Sequence, residues 1–110
     1  MSESTLVPAD LLDAAAARFR LLGDPTRLRL LRALYGADEM TVQELADAAG
    51  QSHANTSKHL RLLAGAGVVQ GRRDGLHVYY RIVDPTLRRL CDLVCDALSE
   101  MAEDDDAEAA

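Results

Sequence analysis

Apolar residues recur every three or four positions along most of the chain, with charged and polar residues between them. This spacing places the apolar side chains on one face of an α-helix and predicts five amphipathic helices. Capping residues, prolines and glycines indicate where each helix begins and ends. The predicted helices extend from Pro8 to Gly23, from Asp24 to Gly36, from Thr41 to about Ala49, from Ser52 to about Ala64, and from Asp84 to Met101.

A short polar turn separates the third and fourth predicted helices. Thr41 and Glu44 have the spacing of a capping box, in which each side chain satisfies a free backbone N–H of the first helical turn. Gly50 can end that helix, and Ser52 can cap the next one. Two short helices joined by a glycine-containing turn predict a helix-turn-helix.

After Gly67 the pattern changes from the period of a helix to that of a strand. Two β-rich segments, beginning at Val68 and His77, flank an Asp74-Gly75 pair, which favours a hairpin turn. The chain then ends with the fifth helix. Four helices, a hairpin and a last helix predict a mainly α-helical fold with a β-hairpin wing, which is a winged helix-turn-helix.

Length and composition agree with one such domain. At 110 residues, of which 48% are hydrophobic, the chain has enough apolar side chains for one modest core. We expect a flexible N-terminus over residues 1–8, a folded domain over 9–101, and an acidic disordered tail over 102–110.

The net charge of −6 is concentrated at the C-terminus, where residues 100–110 include six acids and no base. Residues 50–83 instead contain five bases and one acid, a local charge of +4. Because a basic surface attracts phosphates, the overall acidity does not exclude a nucleic-acid partner.

The sequence shows no sign of a membrane or secretory protein. No apolar run approaches the roughly 20 residues of a transmembrane helix. Residues 1–7 lack the basic and apolar segments of a secretory signal. We therefore expect a cytoplasmic protein with no membrane partner, whose two cysteines are reduced thiols.

The helix that follows the tight turn is the candidate for the major groove of DNA, which admits one helix. The candidate contacts are Gln51, Ser52, His53, Asn55, Ser57 and Lys58, together with Arg72 and Arg73 at the predicted hairpin tip. Free backbone amides at the start of a helix also bind phosphate. Each of these residues, taken alone, is an ordinary surface residue. The prediction of a DNA-binding surface therefore depends on the order of the helices and strands along the chain.

Several motifs together resemble the ArsR/SmtB family of bacterial repressors. They are LGDPTRLRLL at 22–31, ELA at 44–46, NTSKHL at 55–60, RRDG at 72–75 and VYYR at 78–81. The resemblance covers approximately residues 10–100 and implies a homodimer formed by the first and last helices. It also implies binding to an imperfect palindrome in DNA, with release when a metal ion or another inducer binds. The domain at 9–101 would then serve both DNA binding and dimerisation.

The best-known sensing sites of this family are missing from the sequence. The segment that matches the arsenic-type Cys-x-Cys site, residues 42–49, has no cysteine. Thr86 and Ala97 stand where the zinc-type site of the family has histidines. Leu62 and Ala66 stand where another family site has two cysteines.

Cys91 and Cys95 are the remaining candidates for a sensor. They are four residues apart on the last helix and therefore on one face, with Cα atoms about 6 Å apart. A direct disulfide would be strained, whereas a polysulfide bridge, a thiophilic metal ion or pairing with a partner subunit would be less so. The other interpretation is packing, because a free cysteine behaves as a small apolar side chain.

These observations predict a transcriptional repressor released from a palindromic operator by a thiol-reactive signal at Cys91 and Cys95. Reactive sulfur species, oxidants and thiophilic metal ions are the candidate signals. The alternatives are the same repressor with structural cysteines and an unknown or no inducer, and a winged helix used only for protein contacts. A thiol enzyme is not expected, because His53, His59 and His77 belong to the DNA-binding half and so short a chain forms no obvious substrate pocket.

Overall fold

A computed structural model describes residues 8–109, with side chains described as far as Glu103. The helices in this range are α1 (Ala9–Leu22), α2 (Pro25–Tyr35), α3 (Val42–Ala49), α4 (His53–Gly65) and α5 (Pro85–Ala109). The strands are β1 (Met40–Thr41), β2 (Val69–Asp74) and β3 (His77–Ile82). This order of elements confirms the predicted winged helix-turn-helix.

The predicted helix caps are formed by side chains that bond to the first turns of α2, α3 and α4. The Asp24 carboxylate accepts a hydrogen bond from the backbone N–H three residues further along, at 3.1 Å. Thr41 and Glu44 form the capping box, with distances of 3.1 and 2.9 Å. Ser52 Oγ accepts a backbone hydrogen bond at 3.0 Å. These bonds fix where the helices begin, because the N–H groups involved have no partner within the helix.

The three strands form one antiparallel sheet in the order β1-β3-β2. β2 and β3 form the predicted hairpin, in register from Val69 opposite Ile82 to Asp74 opposite His77. Gly75 in the turn has a φ of 62°, a conformation that glycine adopts without strain. The sequence does not predict β1, because two residues are too few to show the alternation of apolar and polar side chains that is typical of a strand. β1 joins the start of α3 to the hairpin by pairing with β3.

The core lies between α2, α3, α4 and the hairpin. Its fully buried side chains are Leu30, Leu31, Leu45, Leu60, Leu63, Val68 and Thr56. The members on α4 are three or four residues apart, as the helical pattern predicts. They hold one face of α4 in the core and leave the opposite face to solvent.

Helices α1 and α5 leave many apolar side chains uncovered. The exposed ones are Leu11, Leu12 and Phe19 on α1, and Leu93, Val94, Leu98 and Met101 on α5. We call this set the apolar face. Many exposed apolar side chains on neighbouring helices commonly mark a contact with another protein surface. Within residues 8–109, no helix combines the length and the apolar character needed to cross a membrane.

The structure and the sequence prediction differ at the C-terminus. The sequence predicts disorder over 102–110, whereas α5 continues to Ala109. Alanine and glutamate favour helix, and extending an existing helix requires no new nucleation. The prediction relied on the acidic charge and overlooked this continuity. The predicted flexible N-terminus at 1–8 lies outside the described residues, apart from Pro8, which precedes α1.

Candidate nucleic-acid interface and thiol cleft

The polar face of α4 and the turn before it carry most of the predicted DNA contacts. Ser52, His53 and Lys58 are exposed, and Gln51, Asn55 and Ser57 are half-buried. All six belong to the N-terminal half of the helix or to its preceding turn. The structure therefore brings them together on one side of the molecule.

Hydrogen bonds already engage the half-buried members of this group. The Asn55 amide donates to Gln51 Oε1 at 2.6 Å. Arg61 is exposed, and its Nη1 donates to Ser57 Oγ at 3.2 Å. Sequence reasoning did not select Arg61 as a contact. Its position three residues after Lys58 places it on the same face of the helix, and this spacing is the signal that could have identified it.

The tip of the wing lies beside α4. A cavity of about 250 Å³ is lined by His53, Ser57 and Arg61 from α4 and by Leu76 and His77 from the hairpin. Leu76 is 96% exposed. The exposed face of α4 and the hairpin tip therefore form one continuous surface, which we call the helix-wing surface.

Arg72 does not lie at the hairpin tip, where the sequence places it. It stands opposite Tyr79 within the hairpin, and the turn itself is formed by Gly75 and Leu76. Its guanidinium donates two hydrogen bonds to the Glu39 carboxylate, at 2.8 and 3.1 Å. It also lies over the Tyr79 ring, 4.9 Å from the centroid. The predicted position is wrong because β2 continues through both arginines before the chain turns.

The contact between Arg72 and Glu39 ties the wing to the loop between α2 and β1. The Arg72 hydrogen bond holds the pKa of the Glu39 carboxyl below its usual range. Arg73 is exposed and stands opposite Val78, one pair nearer the tip. Arg73 is therefore better placed than Arg72 to contact a molecule that meets the end of the wing.

One guanidinium connects α4 to the junction of α1 and α2. Arg27 Nε donates to the Leu21 carbonyl oxygen at 2.6 Å. Arg27 Nη1 lies 3.3 Å from His59 Nδ1, and His59 is half-buried on α4. A shift of α2 would therefore act directly on α4 as well as through the core.

Both cysteines line a cleft where α1, α2 and α5 meet. They are free thiols, Cys91 half-buried and Cys95 exposed. The cleft has a volume of about 220 Å³, and its other lining residues are Phe19, Leu22, Gly23, Leu28, Leu90 and Val94. We call it the thiol cleft. Apart from the thiols, its side chains are apolar.

A second cavity adjoins the thiol cleft at the same two cysteines. Its volume is about 390 Å³, and it shares Leu28, Cys91 and Cys95 with the cleft. Its remaining lining residues are Arg29, Arg32, Tyr35 and Asp92. The cysteines thus stand between an apolar cleft and this second cavity, which we call the charged groove.

Tyr35 ends α2 beside Cys91. Its hydroxyl oxygen is buried, and no hydrogen bond of good geometry reaches it from the described residues. Burial raises the pKa of this hydroxyl, and the neighbouring Cys91 thiol raises it further. The Arg88 guanidinium lies over the ring, 5.3 Å from its centroid. Tyr35 therefore keeps its proton, and its hydroxyl lies next to Cys91 without a hydrogen bond of good geometry.

The two thiols do not complete a metal site within one chain. In the part of the chain that the structure describes, no three His, Cys, Asp or Glu side chains are grouped so as to hold a metal ion. A zinc ion takes at least three protein ligands in most sites. An ion held by Cys91 and Cys95 would therefore need further ligands, from solvent or from a partner subunit.

Known proteins resemble the chain in sequence over most of its length. Residues 22–72 match a family described as a helix-turn-helix domain. Over 97 residues the chain is 37% identical to the HTH-type transcriptional repressor SmtB of Mycobacterium tuberculosis, a match that covers 88% of this chain and 69% of that protein.

Solved structures resemble the fold. The AntR antimony-specific transcriptional repressor is 32% identical, with a TM-score of 0.81 and coverage of 89% of this chain and 88% of that one. The homodimeric winged helix-turn-helix DNA-binding domain of a possible ArsR-family regulator from Mycobacterium bovis is 35% identical, with a TM-score of 0.76 and coverage of 86% and 87%. These relatives confirm the expectation of a transcriptional regulator rather than an enzyme. The chain belongs to the ArsR/SmtB family of winged helix-turn-helix transcriptional repressors.

Proposed function

We propose that this protein is a homodimeric repressor that binds double-stranded operator DNA and is released by a thiol-reactive signal at Cys91 and Cys95. The observation that carries the DNA-binding part is the helix-wing surface, in which the polar face of α4 and the wing tip lie side by side. Membership of the family supports the same conclusion. A repressor of this family acts where operator DNA is present, so we place the protein in the cytoplasm.

In the proposed complex, α4 enters the major groove with its N-terminal half. The proposed contacts are Gln51, Ser52, His53, Asn55, Ser57, Lys58, Arg61 and Arg73. Exposed polar and basic side chains on α4 contact base edges and phosphates, and the backbone N–H groups after Ser52 donate hydrogen bonds to a phosphate. Arg72 contributes when a phosphate replaces Glu39 as its partner.

The apolar face of α1 and α5 supports the proposed dimer. Removing apolar area from water favours association, and side chains such as Phe19 and Leu98 are more than half exposed in one chain. The related domain from Mycobacterium bovis is homodimeric. Two copies would present two α4 helices to half-sites about one helical turn apart, which implies a palindromic operator.

The position of the thiols supports a mechanism in which modification of Cys91 shifts α2, and α2 in turn shifts α4. Cys91 neighbours Tyr35 at the end of α2, and α2 shares the core with α3 and α4. Arg27 adds a direct contact from α2 to His59 on α4. A group attached to Cys91 therefore competes with Tyr35 for space and favours a different position of α2.

Reactive sulfur species, oxidants and thiophilic metal ions all act on such thiols. A polysulfide bridge needs only the two cysteines from the protein, because the polysulfide reagent supplies the inserted sulfur and accepts the two electrons, whereas a metal ion needs further ligands. Support for a thiophilic element comes from AntR, which is an antimony-specific repressor. The apolar walls around Cys91 favour the alternative of structural cysteines with an unknown or no inducer.

The test measures the affinity of the reduced protein for DNA from upstream of its own gene. The measurement is repeated with polysulfide, peroxide, zinc, cadmium and arsenite. We expect salt-dependent binding that one of these agents abolishes, and retained binding by Cys91→Ser and Cys95→Ser in its presence. If the agent still released both serine variants from DNA, the sensor would lie elsewhere in the protein. Binding without salt dependence would contradict the proposed contacts.

A further inference from the structure

The thiol cleft and the charged groove meet at Cys91 and Cys95 and offer complementary chemistry. The cleft supplies apolar walls and about 220 Å³ of space. The groove supplies Tyr35 and the positive charges of Arg29 and Arg32. A ligand that spans both has an apolar body and a polar acceptor group at one end.

The cleft limits the size and charge of that body. Sites for drug-sized molecules occupy about 300–1,000 Å³, so this cleft admits a smaller body, of roughly one ring. An ion placed between Phe19, Leu28 and Leu90 would lose its hydration without replacement. The ligand body is therefore small and uncharged.

The Tyr35 hydroxyl requires an acceptor. A buried donor without a partner is unfavourable, and a ligand oxygen beside it removes that cost. Arg29 and Arg32 outnumber Asp92 in the same groove, and this net positive charge favours an oxygen that becomes negative during a reaction. A carbonyl oxygen conjugated to a thiol-reactive carbon meets both requirements.

We propose that this site binds a small, uncharged α,β-unsaturated carbonyl compound, which alkylates Cys91 while its carbonyl oxygen accepts a hydrogen bond from Tyr35. This inference names the signal within the proposed function, on which it rests for release from DNA. Tyr35 acts as a positioning residue.

The reaction balances without an oxidant. The Cys91 thiol gives its proton to water, and the thiolate forms a C–S bond to the β-carbon. The electron pair of the C=C bond moves toward the carbonyl and produces an enolate, whose oxygen Tyr35 stabilises. The α-carbon then takes a proton from water, so the net change is addition of S–H across the double bond.

The experiment compares two reagents on the reduced full-length protein. Cyclohex-2-enone reacts through an enolate, whereas iodoacetamide alkylates thiols by displacement and forms none. Tandem mass spectrometry measures the rates at Cys91 and Cys95 separately. Cys95 lines the same two cavities, but the thiol next to the Tyr35 hydroxyl is that of Cys91, so Cys95 is the internal control. Division by the iodoacetamide rate corrects for any difference in the exposure of the two thiols. Tyr35→Phe removes a hydroxyl that has no partner, so the variant is expected to fold, as circular dichroism can verify.

We expect the ratio of the enone rate to the iodoacetamide rate to be about tenfold or more higher at Cys91 than at Cys95, because one positioned donor contributes at least this much. In Tyr35→Phe the ratio at Cys91 should fall to the Cys95 value. Equal ratios at the two cysteines, no enone adduct at Cys91, or no effect of Tyr35→Phe would overturn the proposal.

Operator binding, measured on the same samples, separates this inference from the proposed function. An enone adduct confined to Cys91 that leaves the operator bound would support the site and contradict thiol-linked release. Release by polysulfide or arsenite, together with equal enone ratios, would support thiol-linked release and overturn the enone site.

Discussion

Thr56 places a hydroxyl in the core, completely buried and without a hydrogen-bond partner in the described part of the chain. Such a group costs about 1–3 kcal/mol when it is left unsatisfied. Thr56→Val keeps the shape and removes the polar atom, so we expect the free energy of unfolding to rise by about 1 kcal/mol. Thr56→Ala leaves a cavity and should lower it. Urea unfolding measures both, and a loss of stability in Thr56→Val would show that the hydroxyl has a partner in solution.

Lys58 is an exposed base in the N-terminal half of α4. Lys58→Ala should weaken operator binding and reduce the slope of log affinity against log salt concentration by about 1, because one phosphate contact is lost. Arg20→Ala is the matched control, since Arg20 is an exposed base on α1, outside both the helix-wing surface and the charged groove. Binding titrations over a range of salt concentrations compare them. Equal slopes for wild type and Lys58→Ala would remove Lys58 from the interface.

At the scale of elements, the Arg72–Glu39 pair anchors the wing and gives it a pH dependence. The pKa of Glu39 is lowered in the folded protein, so the pair contributes stability above the ordinary glutamate pKa. That contribution is lost as the pH falls from the ordinary glutamate pKa through the lowered one.

Arg72→Ala should raise the pKa of Glu39 to its ordinary range, because the guanidinium that stabilises the carboxylate is removed. Arg73→Ala, which changes the neighbouring exposed arginine, should leave the pKa of Glu39 unchanged. An NMR titration of the side-chain carboxyl groups measures both variants. If the pKa of Glu39 does not respond to Arg72→Ala, the pair does not form in solution.

The elements that depend on nearby residues could be predicted from the sequence. The caps at Asp24, Thr41 and Ser52 bond to backbone groups three residues away, so the information is local. The predicted contacts on α4 share one helix and one preceding turn, and they lie together for the same reason.

Features that depend on distant contacts could not be predicted in this way. β1 exists because Met40 pairs with Tyr80, and the position of Arg72 depends on the register of the hairpin. The closeness of Tyr35 to Cys91 arises only when α5 packs against the end of α2. No pattern in either segment alone indicates that contact.

At the scale of the whole molecule, the apolar face should determine the oligomeric state. Leu98→Glu places a charge on a face whose burial supports the proposed dimer, so we expect a monomer. Leu76→Glu makes the same change at the wing tip, which is also exposed but lies outside the apolar face, and should remain dimeric. Sedimentation equilibrium distinguishes the two states. A dimer that survives Leu98→Glu would have to use another surface.

An apolar face that a second copy must cover also makes the protein sensitive to its own abundance. Where the dimer is the form that binds DNA and dissociates readily, the concentration of dimers follows the square of the concentration of chains. When a cell doubles its volume without making new chains, the chain concentration halves and the dimer concentration falls to about a quarter. Dilution during growth would derepress the regulated gene for a time without any chemical inducer, and renewed synthesis of the repressor would restore repression.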